Sequence, residues 1–336
     1  MEPLTLTGLH HVSALTAQAA NNLDFYTRAL GLRLVKKTVN QDDPSSYHLF
    51  YGDERGNPGT EVTFFDIPHA APTRPGVSAI SRIALRVSGH ETLAWWRDRF
   101  ETLGVEHDPI ATEAGRAVLA FRDPEGQRLA LVDDTDAPLP GGTPWERSAT
   151  PGPRGIRGLG SVNLTVRDAR PTVRVLTDVM GFTQRGAYAA AAGPTRDIEV
   201  FGTGVGGPGA EVHLDERADL PPERLGRGGV HHVAFRVPTP ELHLEWLARL
   251  EASGMRTSGL VDRYYFKSIY FREPNGILFE LATDGPGFAS DEDEAHLGER
   301  LALPPFLEPH RATIEAGLHP LPTLAERSAA EHPATA

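Results

Sequence analysis

Two tandem histidine pairs and one isolated carboxylate are the residues of this sequence best suited to hold a metal ion. The pairs are His10-His11 and His231-His232; the carboxylate is Glu280, in Gly276-Ile-Leu-Phe-Glu280-Leu. Each pair opens a strand-like segment, and side chains along a strand alternate between faces. Val233, Phe235 and Val237 make an apolar row suited to packing on a helix, so His232 takes the opposite face. The same counting sets His11 against Val12, and Glu280 against Phe279 and Leu281. All three are therefore expected on a concave face free of helices. A single histidine in a strand is more often a hydrogen-bonded core residue than a ligand. Tandem pairs at equivalent strand starts, joined by an inward carboxylate that is costly without a cation or donor, argue for ligands. Two imidazoles and one carboxylate leave three adjacent positions open on an octahedral ion, a pattern that suits Fe(II) and oxygen chemistry.

Composition narrows the alternatives. The 336 residues include no cysteine, which removes disulfides, thiolate catalysis and thiolate-ligated metals. A formal charge of −12 disfavours a nucleic-acid partner. No apolar run approaches a membrane span. The start Met1-Glu-Pro-Leu-Thr-Leu lacks the basic and apolar regions of a signal peptide, so a cytoplasmic location is expected.

The elements that must position the ligands are set out by an internal repeat. An offset of 150 residues carries Gly8-Leu9-x-x-Val12 onto Gly158-Leu159-x-x-Val162, and Gly59-x-Glu61-Val62 onto Gly209-x-Glu211-Val212. It also carries Trp96 onto Trp246, and Phe121-Arg122-Asp123-Pro124-x-Gly126 onto Phe271-Arg272-Glu273-Pro274-x-Gly276. Each half divides again, giving four βαβββ modules and an α+β fold. Opening strands are predicted at 8–16, 80–88, 158–167 and 229–238, and helices at 17–30, 89–103, 169–180 and 240–253. Ser88 with Glu91 reads as a capping box for the second helix, and Thr239 with Pro240 as the start of the fourth. The divisions are residues 1–136 and 158–286 for the two module pairs and 137–157 for a Pro- and Gly-rich linker. A C-terminal extension, 287–336, has short helices, an acidic start in Phe288–Glu299, and a tail from Ala325 expected to be disordered.

The offset equivalents of the ligands at the other pseudo-site are Ser161, Arg82 and Ala130, which cannot hold a metal. One site per chain follows. His11 can meet His232 only if the first and fourth modules share one curved-sheet cup, leaving the second and third to share another. Building that cup between two chains stays open, as does a homo-oligomer. His48 is placed near the pocket and His213 in the ligand-free cup.

Four such modules with His, His and Glu resemble the vicinal oxygen chelate superfamily, which includes glyoxalase I, fosfomycin resistance proteins and extradiol dioxygenases. Several motifs are similar to the hydroquinone-type ring-cleaving dioxygenases: Gly8-Leu-His-His-Val, Gly31-Leu-Arg-Leu-Val-Lys-Lys-Thr-Val-Asn40, Gly229-Val-His-His-x-Ala-Phe, Asp262-Arg263 and Gly287-Phe-x-x-Asp-Glu292. The resemblance covers roughly residues 5–320. It implies His11, His232 and Glu280 as ligands of Fe(II), with Mn(II) the alternative ion. It implies His10, His231, Arg263 and Tyr270 as catalytic groups around them, with Ser13 and His48 toward the substrate. The implied reaction opens a small aromatic diol, para or ortho, with dioxygen. Two other readings stand beside it. One is a glyoxalase-type isomerase or lyase, which needs a second glutamate where Thr63 stands, with Glu61 two residues away. The other is a non-catalytic binder of small aromatics.

Overall fold

The computed structural model describes residues 4–193 and 195–322. The first module runs β1 (Leu9–Thr16), α1 (Ala19–Asp24), β2 (Arg33–Asn40), β3 (Asp43–Gly52) and β4 (Glu61–Asp66). The second runs β5 (Ala79–Val87), α2 (His90–Leu103), β6 (Ala111–Glu113), β7 (Arg116–Arg122) and β8 (Arg128–Asp133). The third has β9 (Leu159–Val166), α3 (Ala169–Arg174), β10 (Thr183–Ala189), β11 (Asp197–Gly202) and β12 (Glu211–Glu216). The fourth has β13 (Val230–Val237), α4 (Pro240–Ala252), β14 (Val261–Asp262), β15 (Lys267–Arg272) and β16 (Leu278–Thr283).

These strands make two eight-stranded curled sheets, ordered β14-β15-β16-β13-β1-β4-β3-β2 and β10-β11-β12-β9-β5-β8-β7-β6. Modules one and four share the first sheet, and modules two and three the second. Neither half of the chain closes a sheet alone. The first cup is complete within one chain because β1 pairs antiparallel with β13, Val12 opposite Val233 and Ser13 opposite His232. The helices cover the convex faces. Trp96 on α2 and Trp246 on α4 are fully buried, as are Val233, Phe235 and Val237 beneath the latter. Rings of this size dominate core burial.

Two local expectations are corrected. The helices predicted over 17–30 and 169–180 run over 19–29 and 169–179, but only their first halves are α-helical. α1 and α3 each widen into a π-turn, at Phe25–Ala29 and Val175–Val179. At the same repeat position Thr27 Oγ1 donates to the Leu23 carbonyl and Thr177 Oγ1 to that of Val173 (2.5 and 2.9 Å), competing for the acceptor of the α-helical bond. Ser88 does not cap α2. Gly89 occupies the cap at φ 91°, and the Asp133 carboxylate accepts from its N–H at 2.9 Å. Thr239 does cap α4, its hydroxyl accepting from Leu242 N–H, with Pro240 leading the helix.

The C-terminal extension straps the first cup. Short turns at Phe288–Ser290 and Glu294–His296 replace the acidic helix expected there, and α5 (Arg311–Gly317) follows. Leu301 bridges to Lys37, and Ala302 N–H donates to the Lys37 carbonyl at 2.9 Å, covering the outer edge of β2. An open strand edge is a template for unwanted pairing, and this one is closed. Lys36 is completely buried under the strap. Its Nζ donates to the Phe288 carbonyl at 3.0 Å, to Asp291 Oδ1 at 2.7 Å and to Glu292 Oε2. The tail from Ala325 lies outside the described residues.

Candidate metal centre

Register across the first sheet assembles the site. Tyr270 on β15 lies opposite Glu280 on β16, Glu280 beside Ala234 on β13, Ala234 opposite His11 on β1, and His11 beside Glu61 on β4. One step along, His232 lies opposite Ser13, and Ser13 beside Thr63. Residues two apart share a face, so His11, His232 and Glu280 converge inside the cup.

Their donor atoms form a tight triangle. His11 Nε2 is 3.2 Å from His232 Nε2 and 3.2 Å from Glu280 Oε2, and the third edge, His232 to Glu280, is 3.0 Å. Glu280 has no exposed surface. Its Oε1 accepts from Ser268 Oγ at 2.5 Å, whereas Oε2, though close to both ring nitrogens, makes no hydrogen bond of acceptable geometry. A buried carboxylate oxygen in that position is expensive without a cation. Adjacent donors around an ion ~2.1 Å away lie roughly 3 Å apart, so the triangle fits a small divalent ion.

The second histidine of each pair is backed by the first. His11 Nδ1 is 3.0 Å from His10 Nδ1, and His10 Nε2 is 3.0 Å from the Thr283 carbonyl. A carbonyl only accepts, so His10 carries its proton on Nε2 and accepts one from His11 Nδ1. The lone pair of His11 is thereby left on Nε2, facing the triangle. His231 Nδ1 stands in the same relation to His232 Nδ1, at 2.8 Å. Burial, followed by the neighbouring His11, lowers His10 to about 3; burial, followed by His232, lowers His231 to about 4. Burial also lowers His232 and His48. Burial alone would raise Glu280, but His11 and His232 outweigh it and hold the carboxyl well below its usual range. The centre thus joins a carboxylate held in its charged form to a His232 ring favoured in the neutral form, which suits a cation.

Above the triangle lies a cavity of ≈ 280 Å³. Leu15, Phe50, Phe65, Ile67, Phe266 and Leu278 supply its apolar walls, and His11, His48, His231, His232, Arg263, Tyr265 and Tyr270 its polar groups, with Thr38, Asn40, Gln41 and Asp42 also lining it. Arg263 Nε donates to Tyr270 Oη at 3.2 Å, and the guanidinium forks onto Asp42, 3.0 Å to each carboxylate oxygen. Burial pushes the Tyr270 phenol up, so it remains a neutral donor.

Of the residues singled out above, His11, His232, His231, Arg263, Tyr270 and His48 line this cavity, and Glu280 is buried against His11 and His232 without lining it. His10 and Ser13 are not among its lining. His10 is buried behind His11, and Ser13 Oγ is engaged by Thr63 Oγ1 at 2.7 Å. Thr63 in turn meets His48 Nε2 at 2.9 Å. Glu61 is buried with its Oε2 unpartnered, and burial raises its pKa well above the ordinary value. It groups with His10 and His11 rather than with His232 and Glu280, and by register Thr63, beside Ser13, is the counterpart of Glu280, beside Ala234. Sequence reasoning missed Ser268, Thr283, Gln41 and Asp42. Ser268 was readable, being on the face of Glu280 across the β15–β16 hairpin. Asp42 carried no signal, because 221 residues separate it from Arg263.

The second cup is filled. Arg82 pairs with Glu113, Arg116 with Glu211, and Tyr188 Oη lies 3.0 Å from His213 Nδ1, leaving a cavity of ≈ 10 Å³. Ser161, Arg82 and Ala130 offer no ligand triangle there, and His213 is held by its neighbours.

Comparison with known proteins agrees with the architecture. The family model described as the Glyoxalase/Bleomycin resistance protein/Dioxygenase superfamily matches residues 8–131 and again 158–281. A Bacillus subtilis (strain 168) protein named "Putative ring-cleaving dioxygenase MhqA" is 54% identical over 318 residues, spanning 95% of this chain and 100% of its own. The chlorohydroquinone/hydroquinone 1,2-dioxygenase of Sphingobium indicum is 30% identical over 313 residues, spanning 91% of this chain and 94% of its own. A crystal structure of a Bacillus subtilis subsp. subtilis str. 168 protein has a TM-score of 0.86 at 34% identity, covering 95% of this chain and 98% of that one. Glyoxalase I from Zea mays, TM-score 0.60 at 14% identity over 87% of this chain and 96% of that one, shares the fold alone. Among the described residues, no helix is long and apolar enough to cross a membrane. With both repeats matched and full-length relatives named as ring-cleaving dioxygenases, the chain belongs to the glyoxalase/bleomycin resistance protein/dioxygenase superfamily.

Proposed function

We propose that this protein is an Fe(II)-dependent dioxygenase that cleaves the ring of a hydroquinone or catechol-like aromatic. The observation that carries the reading is the buried His11–His232–Glu280 triangle, with its unpartnered carboxylate oxygen, at the base of an aromatic-walled cavity. Bound there, the ion would supply a site for electron transfer between a hydroxyarene and dioxygen. Thiolate-free imidazole and carboxylate donors suit Fe(II), and Mn(II) is the alternative with the same donor set.

The chain's own groups complete the site. The His10–Thr283 bond fixes the ring of His11, and His231 backs the second ligand through a single contact between the two Nδ1 atoms. The apolar walls exclude water and receive the ring faces of the substrate. Tyr270 Oη accepts from Arg263 Nε, which directs its own proton to other acceptors, oxygen-centred charge in the cavity among them. His231, which lines the cavity, would exchange a proton with substrate, while His10 would act through His11. An isomerase site of the two-glutamate kind finds Thr63, not a carboxylate, at its fourth corner.

Oxygen consumption tests the reading. Iron-loaded protein prepared without air is expected to take up dioxygen with hydroquinone or catechol, and the product mass should rise by both oxygen atoms. Tight binding of either ring with no uptake would leave the non-catalytic reading instead. Tyr270→Phe is expected to keep its metal while kcat falls by about tenfold to a hundredfold, the worth of a hydrogen bond to developing charge. Metal analysis and steady-state kinetics on the same preparation check this.

A further inference from the structure

We propose that Asp42 is a specificity-determining residue: by cancelling the charge of Arg263 it reserves the cavity for hydroxyarenes that carry no carboxylate. This rests on the hydroxyarene reading above and names the residue that restricts its substrate class.

Arg263 is the only arginine or lysine among the described residues lining the cavity. A free guanidinium there would form a forked receptor for an aromatic acid, the geometry in which arginine recognises carboxylates. The structure fills that fork from within. Asp42, at the tip of the β2–β3 hairpin, places one oxygen 3.0 Å from Nη1 and the other 3.0 Å from Nη2. The hairpin tip is held to the same residue by a second bond, Gln41 Nε2 to the Arg263 carbonyl at 2.7 Å. Nε is occupied by Tyr270. Arg263 thus presents an ion pair to the cavity in place of an unpaired cation. The side chain of Asp42 is 73% exposed and that of Arg263 22%, so the carboxylate closes the solvent side of the fork. An incoming carboxylate meets like charge at Asp42 and a guanidinium already engaged at Nε, Nη1 and Nη2, whereas a neutral hydroxyarene loses nothing.

The test uses metal-loaded protein kept free of oxygen, with calorimetric titration of phenol, 3-hydroxybenzoate and 4-hydroxybenzoate. Asp42→Asn keeps the shape and a hydrogen bond but removes the charge. Relative to phenol, affinity for at least one hydroxybenzoate is expected to rise about tenfold, the scale of a charge-assisted hydrogen bond. The gain should shrink as salt is added. It should vanish in Asp42→Asn/Arg263→Gln, which has no cation left to release. An unchanged ratio in Asp42→Asn, or a gain that survives in the double variant, overturns the proposal. Equal weakening of all three ligands does the same, since it assigns Asp42 only to shaping the hairpin. Oxygen uptake by the wild type with hydroquinone is measured alongside. Its failure would sink the dioxygenase reading, while the binding ratios still decide the role of Asp42.

Discussion

Glu280→Gln is expected to lose bound metal almost completely. Metal affinity should fall by more than about 100-fold, because even partners outside the ligand shell are commonly worth 10–100-fold. The amide keeps the volume and the bond from Ser268 but removes the negative charge that the two imidazoles face. In the wild type, metal at about 100 times its dissociation constant should stabilise the fold by ~2.7 kcal/mol. The melting temperature of Glu280→Gln should not move with added metal. Elemental analysis of both proteins, with thermal unfolding in the presence and absence of Fe(II), checks the two halves of this result. Full metal occupancy in Glu280→Gln would remove the carboxylate from the ligand set. Acid should reproduce the loss in the wild type. Protons compete with the ion for imidazole nitrogens, and the depressed Glu280 carboxyl gives up its charge only as pH falls further, so retention declines with falling pH.

Lys36→Met should cost about 3–5 kcal/mol of stability, the range for breaking a buried ion pair from one side. The wild-type ammonium has no exposed surface and meets two carboxylates, of which Glu292 is buried and Asp291 only partly exposed. It also lies 4.7 Å from the centre of the Tyr265 ring, a cation over an aromatic face. Removing it leaves Glu292 charged in a site it cannot leave without lifting the strap. Urea unfolding measures the loss, and limited proteolysis should find new cleavage between residues 287 and 300. Lys36→Met/Glu292→Leu should recover much of the stability, since apolar replacement of a buried pair is often neutral or better. No recovery would mean that packing of the lysine stem, not its charge, holds the extension. The consequence reaches the cavity because Tyr265, which lines it, donates to Asp291 Oδ2 at 2.9 Å.

Much of the architecture was legible because duplication leaves a fixed offset and strands impose a period of two. The pairing of modules one and four followed from requiring His11 to reach His232, and β1 beside β13 provides it. Local capping was less secure. Ser88 looks like a cap in the sequence, yet Asp133, the last residue of β8, takes the N–H of Gly89 at that helix start. The π-turns depend on where Thr27 and Thr177 send their hydroxyls, which hydrophobic periodicity does not report. The extension was read as a helix start from its acidic residues, but Asp291 and Glu292 are spent on Lys36.

By itself the sequence determined which side chains could serve as ligands and which face of each strand they occupy, because residue chemistry and strand alternation are local properties. It also determined that the second pseudo-site lacks ligands, since Ser161, Arg82 and Ala130 stand at its corners. Only the tertiary structure decided the tautomer of His11, through a carbonyl 273 residues from His10, and the neutralisation of Arg263 by a hairpin 221 residues away. Those contacts join groups with no shared periodicity or fixed offset. They exist because sheet closure brings remote strand ends within hydrogen-bonding range, where burial makes each unmet donor or charge costly enough to select one arrangement.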